Sequence, residues 1–203
     1  MLPKITTLFF APTSQYVQAQ IVELTPDIAE RRIHRSWWTD DGLLEQFNPP
    51  PIDRLWNWNE MSIEYDGKPL EAEKIAIVTG DQAVQGAMMI SVDPVRSVLS
   101  PGASALFVEL LFTAPRNRPS LRRDGNPFFL GVGTELLTWG AWLSREKGCE
   151  GRLLLDGSPE YVGWYQKRGL QKLGAKPIVF EEVPYVPMEL LAQAAKRLLK
   201  DCK

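Results

Sequence analysis

A short glycine turn, Gly131-Val132-Gly133, is the first stretch of this sequence that could do chemistry. It follows an apolar run that predicts a strand over residues 105–113, and it opens a predicted helix that runs to about Lys147. The first backbone N–H groups of a helix have no partner within the helix, and the dipole is positive there, so such a turn can bind a phosphate. Two glycines also let the backbone come close to a bulky anion. Many turns of this kind only cap a helix, so the neighbouring residues must indicate whether this one binds a phosphate.

One charged side chain could take part in proton transfer. Glu109 is the one charged residue in the run 106–112, which is otherwise apolar and typical of a central strand. Burial on such a strand would raise the pKa of its carboxyl group and suit it to accept a proton near neutral pH. The alternatives are a carboxylate at a solvated strand edge and a carboxylate paired with an arginine. Tyr165 lies in a helix predicted over residues 159–168 and capped by Ser158, where it could pack in the core.

Composition excludes several other kinds of chemistry. The single histidine, His34, cannot build a multi-histidine metal site, and the two cysteines lack metal-ligand spacing, so no metal is expected. A formal net charge of -2 gives no indication of nucleic-acid binding. No apolar run approaches the ~20 residues that span a bilayer, so no membrane insertion is expected. Two cysteines and a poor signal-peptide pattern lead us to expect a cytoplasmic protein.

Hydrophobic periodicity alternates between strand and helix along the chain. The predicted strands are residues 5–10, 17–23, 74–79, 83–92, 106–112, 152–155, 178–182 and 183–188. The predicted helices are residues 26–38, 42–47, 131–147, 159–168 and 190–200. This interleaving indicates an α/β protein with a mixed sheet. Because no repeat or boundary interrupts the chain, residues 1–203 are expected to form a single domain.

Three of these stretches resemble the Gcn5-related N-acetyltransferase (GNAT) superfamily. The sequence Ala83-Val84-Gln85-Gly86-Ala87-Met88-Met89 is similar to the third strand of that family, which usually carries a glycine. The run Phe107-Val108-Glu109-Leu110-Leu111-Phe112-Thr113-Ala114-Pro115 is similar to the fourth strand, in which histone-acetylating members have a glutamate at the position of Glu109. Ser158, Tyr165 and Gly169 keep the spacing of the last family signature, with Ser158 in place of asparagine.

The glycine turn matches the acyl-CoA pyrophosphate loop of the same family. Gly131 and Gly133 occupy its two small positions, whereas Phe128 stands where the family has arginine or glutamine. Residues 119–129 look like an insertion before the loop, and Arg118 is a candidate for the displaced family arginine.

The resemblance implies a GNAT-like α/β fold, with a mixed, mostly antiparallel central sheet flanked by helices and with splayed fourth and fifth strands. It implies acetyl-CoA, or another acyl-CoA, as co-substrate and an amine-bearing small molecule or peptide as acceptor. Glu109 would be the base and Tyr165 the acid toward the CoA sulfur. The residues implied to bind CoA are Phe112, Thr113, Ala114, Leu130, Gly131, Val132, Gly133, Thr134 and Ser158.

Several alternatives stay open at the level of sequence. The protein could bind acyl-CoA without catalysis, or keep the fold only as an interaction module. A group of arginines either clamps the CoA phosphates or forms a solvated loop: Arg116, Arg118, Arg122 and Arg123. A group of tryptophans either lines an aromatic acceptor pocket or packs under a loop: Trp37, Trp38, Trp56 and Trp58. The last helix is amphipathic and could cover this domain, form a homodimer contact, or touch a membrane or another partner.

Overall fold

The computed structural model describes residues 5–38, 51–54, 56–65, 68–69, 71–122, 125–180 and 182–200. The helix predicted over residues 42–47 lies outside the described residues, and so does Arg123.

Strands and helices alternate along the described chain, as the sequence predicts. The strands are β1 (Ile5–Phe10), β2 (Gln15–Glu23), β3 (Glu64–Tyr65), β4 (Lys68–Pro69), β5 (Ala72–Thr79), β6 (Val84–Ser91), β7 (Val95–Arg96), β8 (Ser104–Thr113), β9 (Phe129–Leu130), β10 (Leu153–Gly157), β11 (Leu170–Lys172), β12 (Ile178–Phe180) and β13 (Val183–Leu190). The α-helices are α1 (Pro26–Ile28), α2 (Trp58–Ile63), α3 (Val132–Glu146), α4 (Val162–Lys167) and α5 (Ala192–Lys200). A π-helix covers Ala29–His34, and short 3-10 turns cover Ala11–Thr13, Ile52–Arg54, Pro115–Asn117, Pro119–Leu121 and Pro159–Tyr161.

The predicted α/β class with a mixed, mostly antiparallel sheet is confirmed. The pair β8 and β10 is parallel, and its ladder joins Leu106, Phe107 and Val108 to Leu153, Leu154 and Leu155. No pair follows Val108 and Leu155 in this ladder, so the two strands part at Glu109 and Asp156. Strands β8 and β10 therefore correspond to the fourth and fifth strands that the family resemblance implies to be splayed.

The chain divides into two compact units, and the division falls within β5, β6, β8 and α3. The first unit comprises the described parts of Met1–Leu70, Lys74–Met89 and Leu111–Leu136, and its strands follow the order β9-β1-β2-β5-β6-β8. The second comprises Glu71–Glu73, Ile90–Leu110 and Leu137–Lys203 within the described range. There β10 lies between β8 and β13, β13 also pairs with β11 and β12, and β7 pairs with β8. That residues 1–203 act as one domain stays a prediction.

In the first unit, Gly86 marks the place where α3 meets β6. A Cβ atom at this position would lie 2.6 Å from Cγ1 of Val132, 3.0 Å from Cδ1 of Leu136 and 3.0 Å from the carbonyl oxygen of Phe112. Cβ atoms in proteins do not approach other heavy atoms as closely as the first of these distances, so glycine is the residue that fits without a shift. The close approach fixes the start of α3 against β6 and the end of β8.

In the second unit, the predicted amphipathic helix buries its apolar face. Ala194, Ala195 and Leu198 of α5 are buried. Two glycines make the contact close, because the Cβ atoms of Ala194 and Ala195 lie 2.7 Å from where Cβ atoms of Gly169 and Gly151 would stand. The helix therefore covers this unit through its smallest residues, and a homodimer stays a prediction.

Three element predictions need correction. The helix expected over residues 26–38 begins with the α-helical turn α1 and continues as the π-helix, in which the Arg35 N–H donates to the Glu30 carbonyl at 3.1 Å. One extra residue in a turn barely moves the apolar face, so periodicity cannot reveal it, and Ile33 and Trp37 are buried as predicted. The strand expected to end at residue 155 continues to Gly157. The helix expected over residues 159–168 starts with a 3-10 turn before α4.

The tight contact at Gly86 predicts a large difference between two glycine substitutions. We expect Gly86→Ala to lower the free energy of unfolding by about 1–3 kcal/mol, because its methyl group would force Val132 and the start of α3 to move. Gly80→Ala is the matched control, since no heavy atom lies within 4 Å of a Cβ atom there. Urea-induced unfolding of both variants checks this, and equal losses in both would contradict it.

Candidate functional site

The predicted site residues fall into two groups. Phe112, Thr113, Ala114 and the glycine turn belong to the first unit. Glu109, Ser158 and Tyr165 belong to the second.

In the first unit, the glycine turn leads directly into α3 as predicted. Leu130 is half exposed and pairs with Phe9 of β1, so the edge of the sheet holds the chain just before the turn. Gly131 has a φ of +90°, which disfavours any residue with a Cβ atom, and no heavy atom lies within 4 Å of where that atom would stand. Its carbonyl accepts from the Glu135 N–H at 2.9 Å and closes the first turn. Backbone conformation, not crowding, therefore explains this glycine.

The start of α3 has the properties of an anion site. Val132 and Gly133 lie in the first turn, where the helix supplies no internal acceptor for backbone N–H groups. The helix is 15 residues long, so its dipole adds a positive partial charge at this end. The carboxylate of Glu135 accepts from the Thr6 hydroxyl of β1 at 2.6 Å, which holds its negative charge toward that strand. A phosphate could bind at this turn.

At the end of β8, backbone groups already have partners inside the unit. The Ala114 N–H donates to the Gln85 carbonyl of β6 at 2.8 Å. Successive residues of a strand direct their backbone groups to opposite sides, so the Thr113 carbonyl points away from β6. That carbonyl accepts from Nε of Arg118 at 2.7 Å.

Gln85 is a polar centre that sequence analysis did not identify as functional. It is fully buried; its Nε2 donates to the Thr79 hydroxyl at 2.8 Å, and its Oε1 accepts from Nδ2 of Asn117 at 3.1 Å. Oδ1 of Asn117 accepts in turn from the Phe129 N–H at 3.0 Å. These bonds order the segment between β8 and the glycine turn. An amide inside an otherwise apolar strand was the signal that could have revealed it.

Arg118 forms a buried ion pair with Asp53. Its Nη1 and Nη2 donate to the two carboxylate oxygens at 2.9 and 2.5 Å, and the side chains are only 6% and 2% exposed. The guanidinium also lies 5.6 Å from the centre of the Trp38 ring and 5.5 Å from that of Phe112. Arg118 therefore fits neither alternative that the sequence left open, because it is not solvated and its donors are directed at protein acceptors.

The other described arginines of this cluster also contact protein groups. Nε of Arg116 donates to Oε1 of Gln85 at 3.3 Å, and the Arg122 guanidinium lies 4.3 Å from the centre of the Phe128 ring. Phe128, at the family's arginine position, donates its N–H to the Arg116 carbonyl at 3.0 Å and accepts from the Ala11 N–H at 2.9 Å. This position holds the loop together.

Two of the tryptophans pack in the core, and a third lies against the end of β8. Trp37 and Trp58 are buried, and Nε1 of Trp37 donates to the Val84 carbonyl at 2.9 Å, so these two serve the core. Trp56 is half-buried, and its ring centre lies 4.7 Å from that of Phe112 in an edge-to-face contact. Phe112 is also 5.9 Å from the Trp58 ring. The segment that holds both tryptophans thus lies against the end of β8.

In the second unit, Tyr165 is a buried tyrosine on α4. Its ring atoms lie 3.2 and 3.3 Å from where a Cβ atom of Gly157 would stand, and Sδ of Met188 lies 3.3 Å from the same point. Burial raises the pKa of Tyr165, and the nearby Tyr161 raises it further, so its hydroxyl keeps its proton over the physiological range. Ser158 stands at the predicted N-cap position, but its side chain makes no capping bond; its carbonyl accepts from the Tyr161 N–H at 2.9 Å.

Two half-buried carboxylates follow the last pair of the parallel ladder. Glu109 comes directly after Val108 on β8, and Asp156 directly after Leu155 on β10. Burial raises the pKa of Asp156. The strand predicted from the sequence ends at residue 155 and leaves Asp156 out, although a carboxylate after three strand leucines was a usable signal.

A cleft of about 660 Å³ lies in the first unit, and its lining includes none of the predicted site residues. It is lined by Pro26, Asp27, Glu30, Arg31, Arg35 and Asn59. Nε of Arg31 lies 2.8 Å from Asp27, and Nε of Arg35 lies 2.7 Å from Glu30, so charges of both signs border the cleft. Among the residues that the structure describes, no group of three acidic, cysteine or histidine side chains could hold a metal ion. In the same part of the chain, every helix is too short or too polar to cross a membrane.

No family model and no curated protein matches the sequence. Solved structures do match. One is a bacterial toxin, with a TM-score of 0.56, 14% identity, and coverage of 90% of this chain and 95% of that one. Another is an acetyltransferase of the GNAT family from Staphylococcus aureus Mu50, with a TM-score of 0.54, 11% identity, and coverage of 86% and 99%.

The chain has the GNAT fold. A third structure that is similar to this chain is FeeM, an N-acyl amino acid synthase from uncultured soil microbes. The TM-score is 0.52, the identity 12%, and the match covers 90% of this chain and 96% of that one. At such identities the similarity concerns the GNAT fold alone. It confirms the fold that the sequence motifs predict.

The raised pKa of Asp156 predicts a pH-dependent stability. The folded state binds this proton more tightly than the unfolded chain does, so the group's contribution to stability is present below the unfolded pKa of about 3.9 and is lost as pH rises through the raised value. We therefore expect Asp156→Asn to unfold at a higher temperature than the parent near neutral pH, and to lose this advantage in acid. Thermal unfolding across the pH range checks this; a difference that does not change with pH would contradict it.

Proposed function

We propose that residues 1–203 form a single acyl-CoA-dependent N-acetyltransferase domain that uses acetyl-CoA as co-substrate. The observation that carries this proposal is the glycine turn at the start of α3 in a chain with the GNAT fold. Backbone N–H groups at Val132 and Gly133, with Leu130, Gly131 and Thr134 around them, would hold the pyrophosphate.

The pantetheine arm would run along the end of β8. The Thr113 carbonyl is the backbone group there that points away from β6, so it is the proposed acceptor for an amide N–H of the arm. Phe112 and Ala114 shape the strand on either side, since the Ala114 N–H is engaged by β6. Ser158 is assigned to the CoA site by its family position.

The proposed reaction is a direct acyl transfer. The amine nitrogen attacks the thioester carbonyl carbon, an amide bond forms, and the carbon–sulfur bond breaks. Glu109 takes the proton that the amine loses, directly or through a water, and Tyr165 gives a proton to the departing thiolate. Burial raises the pKa of Tyr165, so the phenol holds its proton at neutral pH, which is the protonation state that this role needs.

The acceptor is an amine on a small molecule or a peptide. The cleft beside Asp27 and Arg31 offers charges of both signs, which suits an acceptor that carries a second polar group. FeeM, which has the same fold, is an N-acyl amino acid synthase, so acceptors of that size are compatible with the fold.

A carboxylate beside the glycine turn should weaken CoA binding. We expect Leu130→Asp to raise the dissociation constant of acetyl-CoA at least about fivefold, since like charges about 4 Å apart repel by about 1 kcal/mol in water. Leu130→Asn is the matched control, because it has the same shape without the charge. Calorimetry with acetyl-CoA and free CoA measures both. Unchanged affinity in Leu130→Asp would place the phosphates elsewhere, and no heat or thermal shift with the parent protein would refute CoA binding altogether.

Removal of the Tyr165 hydroxyl should slow the reaction without loss of CoA. We expect Tyr165→Phe to lower kcat about 100-fold, the usual contribution of a positioned acid, while acetyl-CoA affinity stays at the parent value. Tyr16→Phe, which removes a hydroxyl from an exposed tyrosine of β2, is the control. A thiol-release assay over a panel of amines, polyamines and peptides measures the rates. Full activity in Tyr165→Phe would exclude it as the acid, and binding without release across the panel would favour a non-catalytic acyl-CoA-binding module.

A further inference from the structure

Two groups from distant parts of the sequence meet at Arg118. Its guanidinium bonds both carboxylate oxygens of Asp53, at 2.9 and 2.5 Å, and its Nε donates to the Thr113 carbonyl at 2.7 Å. Asp53 lies in the 3-10 turn Ile52–Arg54, which precedes the two tryptophans that contact Phe112. The ion pair is almost inaccessible to solvent. One side chain therefore connects this turn to the last residues of β8.

The geometry needs an arginine. A planar guanidinium can direct two N–H groups at one carboxylate and a third at a separate carbonyl, whereas a lysine ammonium is a compact charge without this fork. Burial makes the arrangement rigid, because either charge left alone would be strongly disfavoured in this surrounding. The Phe112 and Trp38 rings beside the guanidinium restrict it further.

The Thr113 carbonyl is the group that the proposed function assigns to the pantetheine arm. A carbonyl oxygen has two lone pairs, so it can accept from Arg118 and still accept an amide N–H from the arm. With Arg118 in place, this oxygen and the Phe112 ring are held before the ligand arrives, and binding does not have to order them.

We propose that Arg118 is a positioning residue for the acyl-CoA arm and that Asp53 is its anchor. The inference rests on the proposed function, since it presumes that acetyl-CoA binds along β8. The family motif would place an arginine at the phosphate end of CoA. The proposal instead places Arg118 near the acyl end. It also makes Asp53, 65 residues earlier in the chain, part of the CoA site.

The test compares three proteins: the parent, Arg118→Lys, and the double variant Asp53→Leu with Arg118→Met. The double variant replaces the ion pair with apolar side chains of similar size, a change that often preserves stability because no buried charge is left alone. Arg118→Lys keeps a positive charge opposite Asp53 and remains informative if the double variant does not fold. Calorimetry gives the acetyl-CoA dissociation constant, thermal unfolding gives stability, and thiol release gives KM and kcat.

We expect the double variant to bind acetyl-CoA roughly tenfold more weakly. The Phe112 side chain and the end of β8 would no longer be held in advance and would have to be ordered on binding. KM for acetyl-CoA should rise by a similar factor in both variants, with kcat at saturating acetyl-CoA within about twofold of the parent. A purely structural role would lower kcat through loss of folded protein and leave the dissociation constant unchanged.

A folded double variant, or Arg118→Lys, with the parent's acetyl-CoA affinity would overturn the positioning role and leave the proposed function intact. A parent protein that does not bind acetyl-CoA would overturn both. The two failures are therefore distinguishable in a single set of titrations.

Discussion

The part of the candidate site proposed to bind the acyl-CoA donor depends on one contact, the close approach of α3 to β6 at Gly86. A helix can offer its first N–H groups to an anion only if its end is held in place, and here Val132 and Leu136 press against a strand position that has no side chain. The same glycine adjoins the Phe112 carbonyl, so one point of contact positions both the proposed phosphate turn and the strand proposed for pantetheine. The buried amide of Gln85, one residue earlier, ties the intervening segment to that point.

In the second unit, the candidate site residues lie around the end of the parallel ladder between β8 and β10. Parallel pairing of β8 with β10 stops after Val108 and Leu155, and the next residue of each strand is a carboxylate. Backbone groups released from a ladder need other partners, which makes the end of pairing a natural place for a ligand. Tyr165 lies over Gly157 two residues past the last pair, and burial keeps its hydroxyl protonated. The proposed base and the proposed acid, Glu109 and Tyr165, thus belong to one unit.

Much of this fold could be predicted from local patterns, because strands β1, β2, β5, β6 and β8 and helix α3 have strong periodicity and clear turn residues. Glycine spacing also predicted where α3 begins. Most of the features that could not be predicted depend on residues distant in sequence. No pattern around Arg118 indicates that it is buried, since its counter-charge is Asp53 and its rings come from Trp38 and Phe112. The short strand β9 exists only because the edge of β1 is beside it. The π-helical turn differs from an α-helix by one residue, too little to alter the apolar pattern.

The pair formed by Arg118 and Asp53 also limits how this protein can be recombined. Exchange of residues 51–58 for the matching segment of another protein with the same fold would remove Asp53 and leave a buried guanidinium without its counter-charge. Effects of changes at the two positions would not add, because each depends on the other. Residues 51–58 and the end of β8 must therefore be redesigned together, and a chimera that swaps only one of them would inherit an unfolding defect unrelated to its new specificity.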